Sequence, residues 1–289
     1  MKKKKISISH RFILFMMITN IVGNGYSIAQ EGFKPEIGVC TNLGNAEMLS
    51  AHGFSFVEES VGGFLMPLKS EAEFIEKLEQ TLHLPIPIRA CNSFIPGNLK
   101  SVGPEAVHDD ILQFVETAFR RAHMAGIEII VFGSGGSRRI PEGFSPEEAR
   151  KQFIELGKAI GPIAARYNVV VALEPLNTSE VNFINSVIEG GEIVEEIGHP
   201  NFMLLADIYH MMKENEGPES ILKYGHLIKH VHVAEREGRA APGTHSEDLS
   251  PWYDALKQIN YQGRISIEGR WENMELQAPK AIETIRQQL

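Results

Sequence analysis

Between residues 36 and 269 the chain repeats one pattern: a short, nearly continuous apolar run closed by turn residues, with longer stretches of helical spacing between most of the runs. The runs are "EIGVC" (36–40), "FSFVE" (54–58), "IPIRAC" (86–91), "IEIIVF" (127–132), "VVVALE" (169–174), "FMLLAD" (202–207), "IKHVHV" (228–233) and "RISIEG" (264–269). Each is rich in Val and Ile and apolar at almost every position. That is how a strand covered on both faces reads, rather than one with a wet face.

Helical periodicity fills the intervals. In 104–126, Ile111, Phe114, Val115, Ala118, Phe119 and Ala122 form one apolar stripe, and Gly126 ends it. The stretch 145–167 opens with Ser145 as N-cap, Pro146 at the first helical position and Glu148 placed to close a capping box. Further helices fit 186–197, 217–226, 250–258 and 275–288. Eight strands alternating with helices predict an α/β fold, a single (β/α)8 barrel. A doubly wound open sheet usually carries a glycine-rich fingerprint after its first strand, whereas strand one here runs into "TNLGNAEM". No internal repeat or low-complexity linker divides the chain, so one domain over 30–289 suffices.

The first 29 residues read differently. Lys2 to Lys5 form a basic start, "FILFMMITNIVG" is apolar but too short to span a bilayer, and Ser27 and Ala29 suit a cut before Gln30. This is the layout of a secretory signal peptide, with an uncleaved anchor as the alternative. It predicts a periplasmic or secreted protein with no membrane partner after cleavage. Losing 1–29 removes five positive charges and no negative ones, moving the formal net charge from −9 to −14. So acidic a chain repels phosphate backbones, which argues against a nucleic-acid partner. Cys40 and Cys91 each end an apolar run; they read as buried free thiols, though an oxidising compartment would allow them to pair.

A barrel gathers the C-terminal ends of its strands at one mouth, whatever their separation in sequence. Strand five ends in Glu174, strand six in Asp207, strand seven carries His232 and strand eight ends in Glu268, spaced by 33, 25 and 36 residues. Glu174, Asp207 and Glu268 share the inward parity of their strands. Three carboxylates and an imidazole suit a divalent metal, Mn²⁺ first, with Mg²⁺, Co²⁺ or Zn²⁺ as alternatives. His230 has the parity of His232, so alternation alone leaves both open as the ligand.

The segments "VALEPLNTSEVNFINS", "FMLLADIYHMM", "KHVHVAEREGRAAPG" and "RISIEGRW" resemble the xylose-isomerase-like barrels of the sugar phosphate isomerase/epimerase family. The D-tagatose/D-psicose 3-epimerase branch is the nearest in mechanism, and the resemblance runs over most of 35–289. It implies Glu174, Asp207, His232 and Glu268 as metal ligands; Glu174 and Glu268, reaching in from strands five and eight, also read as the catalytic pair. It implies substrate contacts from Glu180, from His210 on the loop past strand six, and from Arg239. The loop "AEREGRAAPG" is one residue longer than the family pattern, so Arg236 competes with Arg239. Homodimers or homotetramers are implied only by analogy.

The implied chemistry is proton transfer beside a carbonyl. A metal stabilises the enediolate, and carboxylates on the two faces of a sugar remove and return the proton. Return on the opposite face gives an epimerase, return to the adjacent carbon an isomerase, and loss of a β leaving group a lyase or dehydratase. A secreted location points to an unphosphorylated sugar or keto-sugar. The same superfamily holds AP endonucleases, which need further ligands on the early strands; here strands one, three and four end in "VCTN", "RACN" and "VFGS". A sugar-binding protein without turnover stays open as a third class. Other residues read two ways. Glu58 is a pocket-lining group or a buried ion pair, and Trp271 a sugar platform or rim packing. Arg138 and Arg139 are an anion cradle or merely part of a turn. Glu235 is a polar contact or a solvated charge, and His245 a loop group.

Overall fold

In a computed structural model, residues 33–289 are described, and they form one compact unit. The expected signal peptide, 1–29, lies outside the described residues. Eight parallel strands close on themselves in sequence order. They are β1 (Glu36–Cys40), β2 (Phe56–Ser60), β3 (Ile88–Asn92), β4 (Ile129–Phe132), β5 (Val170–Leu173), β6 (Phe202–Asp207), β7 (Ile228–Val233) and β8 (Arg264–Ile267). The chain is therefore a single (β/α)8 barrel. Among the described residues no helix is long and apolar enough to cross a membrane.

Two apolar clusters divide the interior. The larger lies between the strands and their surrounding helices, and the smaller, Ala90, Ile129, Val131, Ala172 and Leu205, fills the barrel itself. Its members sit at the inward positions of β3 to β6. On β2, β7 and β8 the corresponding places are taken by Phe56, Glu58, His230, His232 and Ser266, all without solvent exposure. The N-terminal end of the barrel is tied by ion pairs from Arg264 to Glu36 (2.6 Å) and to Glu128 (2.7 Å). Chemistry is thereby confined to the opposite end.

The helix Pro146–Arg166 starts as its sequence predicts, with Ser145 accepting from Glu148 N at 3.3 Å. A complete reciprocal box occurs instead at Ser70 and Glu73, heading Glu71–Glu79. The expected helix over 104–126 begins later, at His108. β2 runs two residues further than its apolar pattern, so Glu58 lies within the strand rather than at its tip. β6 is followed at once by a short helix, Ile208–Lys213, where the sequence reads as loop. Asp207 caps it, accepting from Tyr209 N at 2.8 Å and His210 N at 3.2 Å. A carboxylate at this position satisfies amides that a helix start leaves unpaired.

Gly38 on β1 pairs with Phe56, whose ring occupies the space a side chain there would need: a Cβ would lie 2.5 Å from it. Gly38→Ala should therefore lower stability by about 1–3 kcal/mol through overpacking, measured as a shift in the urea midpoint at unchanged slope.

Candidate active site

Four strands deliver the expected donors to one place. Donor atoms of Glu174, Asp207, His232 and Glu268 all lie within 4.8 Å of one another. Glu174 and Glu268 sit one residue past the ends of β5 and β8, yet their amides continue the ladder, bonding Phe132 O at 3.2 Å and Val233 O at 3.1 Å. The register that builds the barrel thus also aims these carboxylates. His232 Nδ1 stands 3.0 Å from Glu174 Oε1 and 3.1 Å from Glu268 Oε2. His230 lies one inward layer deeper and reaches only Glu58 and Ser266, so the geometry separates the two histidines that strand parity could not.

Glu58 does not line the pocket. It is fully buried behind His232, with Oε1 2.9 Å from His232 Nε2 and Oε2 2.7 Å from His230 Nε2. Burial alone would raise its pKa, but the neighbouring His232 and His230 outweigh this and hold its carboxyl well below the usual range. The His232 imidazole is pushed the other way: burial disfavours its charge, yet the carboxylates of Glu58 and Glu268 raise its pKa well above normal. Glu174 is raised, first by burial and then by the charge of Glu268. Asp207 stays low despite burial because His210 and Arg239 face it.

This balance tests whether a cation fits. Two carboxylates, Glu174 and Glu268, contact His232 Nδ1, and both contacts need a proton on that nitrogen. A single proton there is held by the same oxygens that a hard divalent ion prefers, and the imidazole supplies the borderline nitrogen. The donor set therefore fits a divalent metal held by Glu174, Asp207, His232 and Glu268.

The surrounding rim has its own order. His210, in the helix after β6 rather than on a loop, accepts at Nδ1 from the amide of Asn177 (3.2 Å), and Asn177 Nδ2 lies 2.8 Å from the same nitrogen. The ring proton consequently sits on Nε2, which is buried, has no hydrogen-bond partner and lies 3.5 Å from Asp207 Oδ2. Asn177 also donates to Glu180 Oε1 at 3.0 Å. Nothing in the sequence pattern singled out Asn177; only its burial between two site residues does.

Arg239 resolves the competition with Arg236. Its guanidinium pairs with Glu268, approaches Asp207 Oδ2 at 3.4 Å and Glu180 Oε1 at 3.6 Å, and lies over the Tyr209 ring at 4.8 Å. Arg236 is exposed and bonds Asn215 Oδ1 at 3.1 Å, away from the cluster. Glu235 is neither a solvated charge nor a mouth contact: fully buried, it accepts from Gly243 N at 2.7 Å and His245 N at 2.6 Å, which shapes the following loop. His245 itself is exposed.

Three expectations fall away from the site. Trp271 is half-buried and packs against the core around the barrel, with no polar contact to the cluster. Arg138 is fully buried, donates to Phe132 O at 3.1 Å and Ile184 O at 3.5 Å, and is brought down by burial to about 10. Arg139 bonds the carbonyl of Glu180 and lines a cavity of about 790 Å³ that contains none of the four donors. That cavity also carries Glu142, Glu147 and Glu189, so no net positive cradle forms. Cys40 and Cys91 are free thiols, Cys91 buried and Cys40 only half-buried.

The model of the xylose isomerase-like TIM barrel family matches residues 46–288, and the chain belongs to that family. It is 32% identical over 144 residues to an L-ribulose 3-epimerase of Methylomonas, a match covering 50% of this chain and 49% of the relative. It is 30% identical over 155 residues to a 3-dehydro-D-guloside 4-epimerase of Escherichia coli, covering 52% and 59%. The chain thus spans about half the length of these curated relatives. A Methylomonas D-allulose 3-epimerase solved with D-allulose shares the fold, with TM-score 0.75, 21% identity and coverage of 89% and 98%.

Saturating Mn²⁺, at about a hundred times its dissociation constant, should stabilise the protein by about 2.7 kcal/mol, seen as a raised Tm. Asp207→Asn should lose most of that shift while keeping the helix, because Asn also caps.

Proposed function

We propose that the chain is a divalent-metal-dependent epimerase of an unphosphorylated ketose or keto-sugar, acting by proton transfer beside the carbonyl. The observation that carries this is the placement of Glu174 and Glu268. Two carboxylates from well-separated strands meet at His232 Nδ1, at 3.0 and 3.1 Å. A reaction that takes a proton from one face of a carbon and returns it to the other needs two such groups. The metal, held by Glu174, Asp207, His232 and Glu268, supplies stabilisation of the negative charge that develops on the sugar oxygens.

The chain's own residues perform the rest. Glu174, made more basic by burial and by the charge of Glu268, suits the role of proton acceptor. Glu268 keeps an Arg239 contact and more solvent access, and serves as its counterpart on the other face. His210 Nε2–H is a donor without a partner, ready for a substrate oxygen. Glu180, on the exposed rim, accepts from a sugar hydroxyl while Asn177 and Arg239 steady it.

Two points support a substrate without phosphate. The buried Arg138 is spent on backbone carbonyls and Arg239 on carboxylates, so neither guanidinium is free to cradle a phosphate. The basic and apolar start of the chain also reads as a signal for export, which would place the protein in the periplasm or outside the cell, away from phosphorylated sugars. The resemblance to a 3-dehydro-D-guloside 4-epimerase favours one second reading: proton transfer on a keto-glycoside, with elimination of the β substituent as its lyase variant.

Proton NMR in D₂O with Mn²⁺ and a panel of free ketoses, aldoses and keto-glycosides tests the proposal. The expected result is metal-dependent deuterium uptake at one carbon beside the carbonyl, with the epimer accumulating. Release of an aglycone would move the assignment to a lyase, and absence of exchange on every sugar would overturn proton transfer. Glu174→Gln and Glu268→Gln should each lower turnover by about 10²–10⁴-fold, measured in the same exchange assay, and a chelator should abolish it reversibly.

A further inference from the structure

We propose that Glu58 is a positioning residue for His232, selecting by hydrogen bonding which ring nitrogen faces the metal; this rests on the reading of His232 as a metal ligand. Glu58 stands in the middle of β2 and crosses the barrel interior to β7 and β8, with no solvent exposure. Its Oε1 lies 2.9 Å from His232 Nε2. Its Oε2 lies 2.7 Å from His230 Nε2 and accepts from Ser266 Oγ at 2.7 Å. An ionised carboxylate only accepts hydrogen bonds, so each imidazole must present an N–H at Nε2. For His232 that leaves Nδ1 facing Glu174 and Glu268, on the side where the donors converge.

His230 and Ser266 complete the device. Both bond the same oxygen of Glu58, and His230 Nδ1 is buried without any partner. The strongest interaction that the His230 ring makes is therefore the one that holds Glu58 still. The Phe56 ring, 6.4 Å from the His230 ring, packs against it from the same strand as Glu58. With Oε2 fixed by two donors, Oε1 has one orientation left, and it meets His232. Partners of this kind set the tautomer and basicity of a ligating histidine.

Replacing Glu58 by Gln keeps the shape but leaves one acceptor oxygen where the carboxylate had two, so His230 and His232 can no longer both donate from Nε2 to it. Mn²⁺ titration of the full chain by calorimetry should show affinity weakened roughly 10–100-fold in Glu58→Gln, with the circular dichroism of the metal-free fold unchanged. Unchanged Mn²⁺ affinity in Glu58→Gln would overturn the role of Glu58 and leave the metal site intact. No Mn²⁺ binding by the wild type would overturn the metal site itself, and this proposal with it. The wild type also gives a direct reading that does not depend on the variant folding. In the Zn²⁺-loaded protein, ¹⁵N NMR of the histidine rings should show His232 protonated at Nε2 and coordinated through Nδ1. Coordination through Nε2, with the proton on Nδ1, would overturn the proposal.

Discussion

The imidazole of His232 sits between Glu58 on one side and Glu174 and Glu268 on the other, almost wholly out of reach of water. Each buried carboxylate carries a desolvation cost of several kcal/mol unless it is paired, and the barrel concentrates three of them, Glu58, Glu174 and Asp207, beside the part-exposed Glu268. The compensation is specific. Glu58 receives two imidazoles and a hydroxyl, Asp207 receives two backbone amides and faces Arg239, and Glu268 receives Arg239. Glu174 is left with His232 alone, and its raised pKa records that shortage. The donors of Glu174, Asp207, His232 and Glu268 together fit a divalent cation, so the residues that set this charge balance are also those that define the candidate site.

Function and fold share residues around this centre. Asp207 ends β6, begins the next helix and offers its carboxylate to the cluster. Because that helix starts there, His210 is carried back toward the mouth, and Asn177 from the β5 loop fixes its ring. Glu235 has a comparable duty on the β7 side, where a fully buried carboxylate gathers the amides of the loop that follows Arg239. The rim is therefore built from side chains that hold backbone, which leaves few groups free to meet a substrate. His210 Nε2 and the exposed edge of Glu180 are the clearest of these.

The opposite end of the barrel carries none of this burden. Ion pairs around Arg264 close the bottom, apolar side chains fill the interior on the side of β3 to β6, and Phe56 takes the room that Gly38 leaves. This separation lets polar groups accumulate at one end without loosening the whole interior.

Eight strands, their order and the four donors at their ends were legible along the chain. Near-continuous apolar runs and a period of two are local properties of the chain, and the barrel then brings strand ends together whatever their spacing. The sequence also brought forward His210 and Arg239 through the resemblance of their segments. Packing alone settles where each remaining polar side chain spends its hydrogen bonds. Glu58 reads as a strand-end acid, yet β2 extends two residues further and turns it inward onto His230 and His232. Arg138, which reads as part of an anion cradle or of a turn, is consumed by carbonyls of Phe132 and Ile184; Glu235, which reads as a polar contact or a solvated charge, organises the loop. Those partners lie up to 174 residues apart in the chain, and no local pattern records them, because a buried polar group is satisfied by whatever the register of distant strands places opposite it.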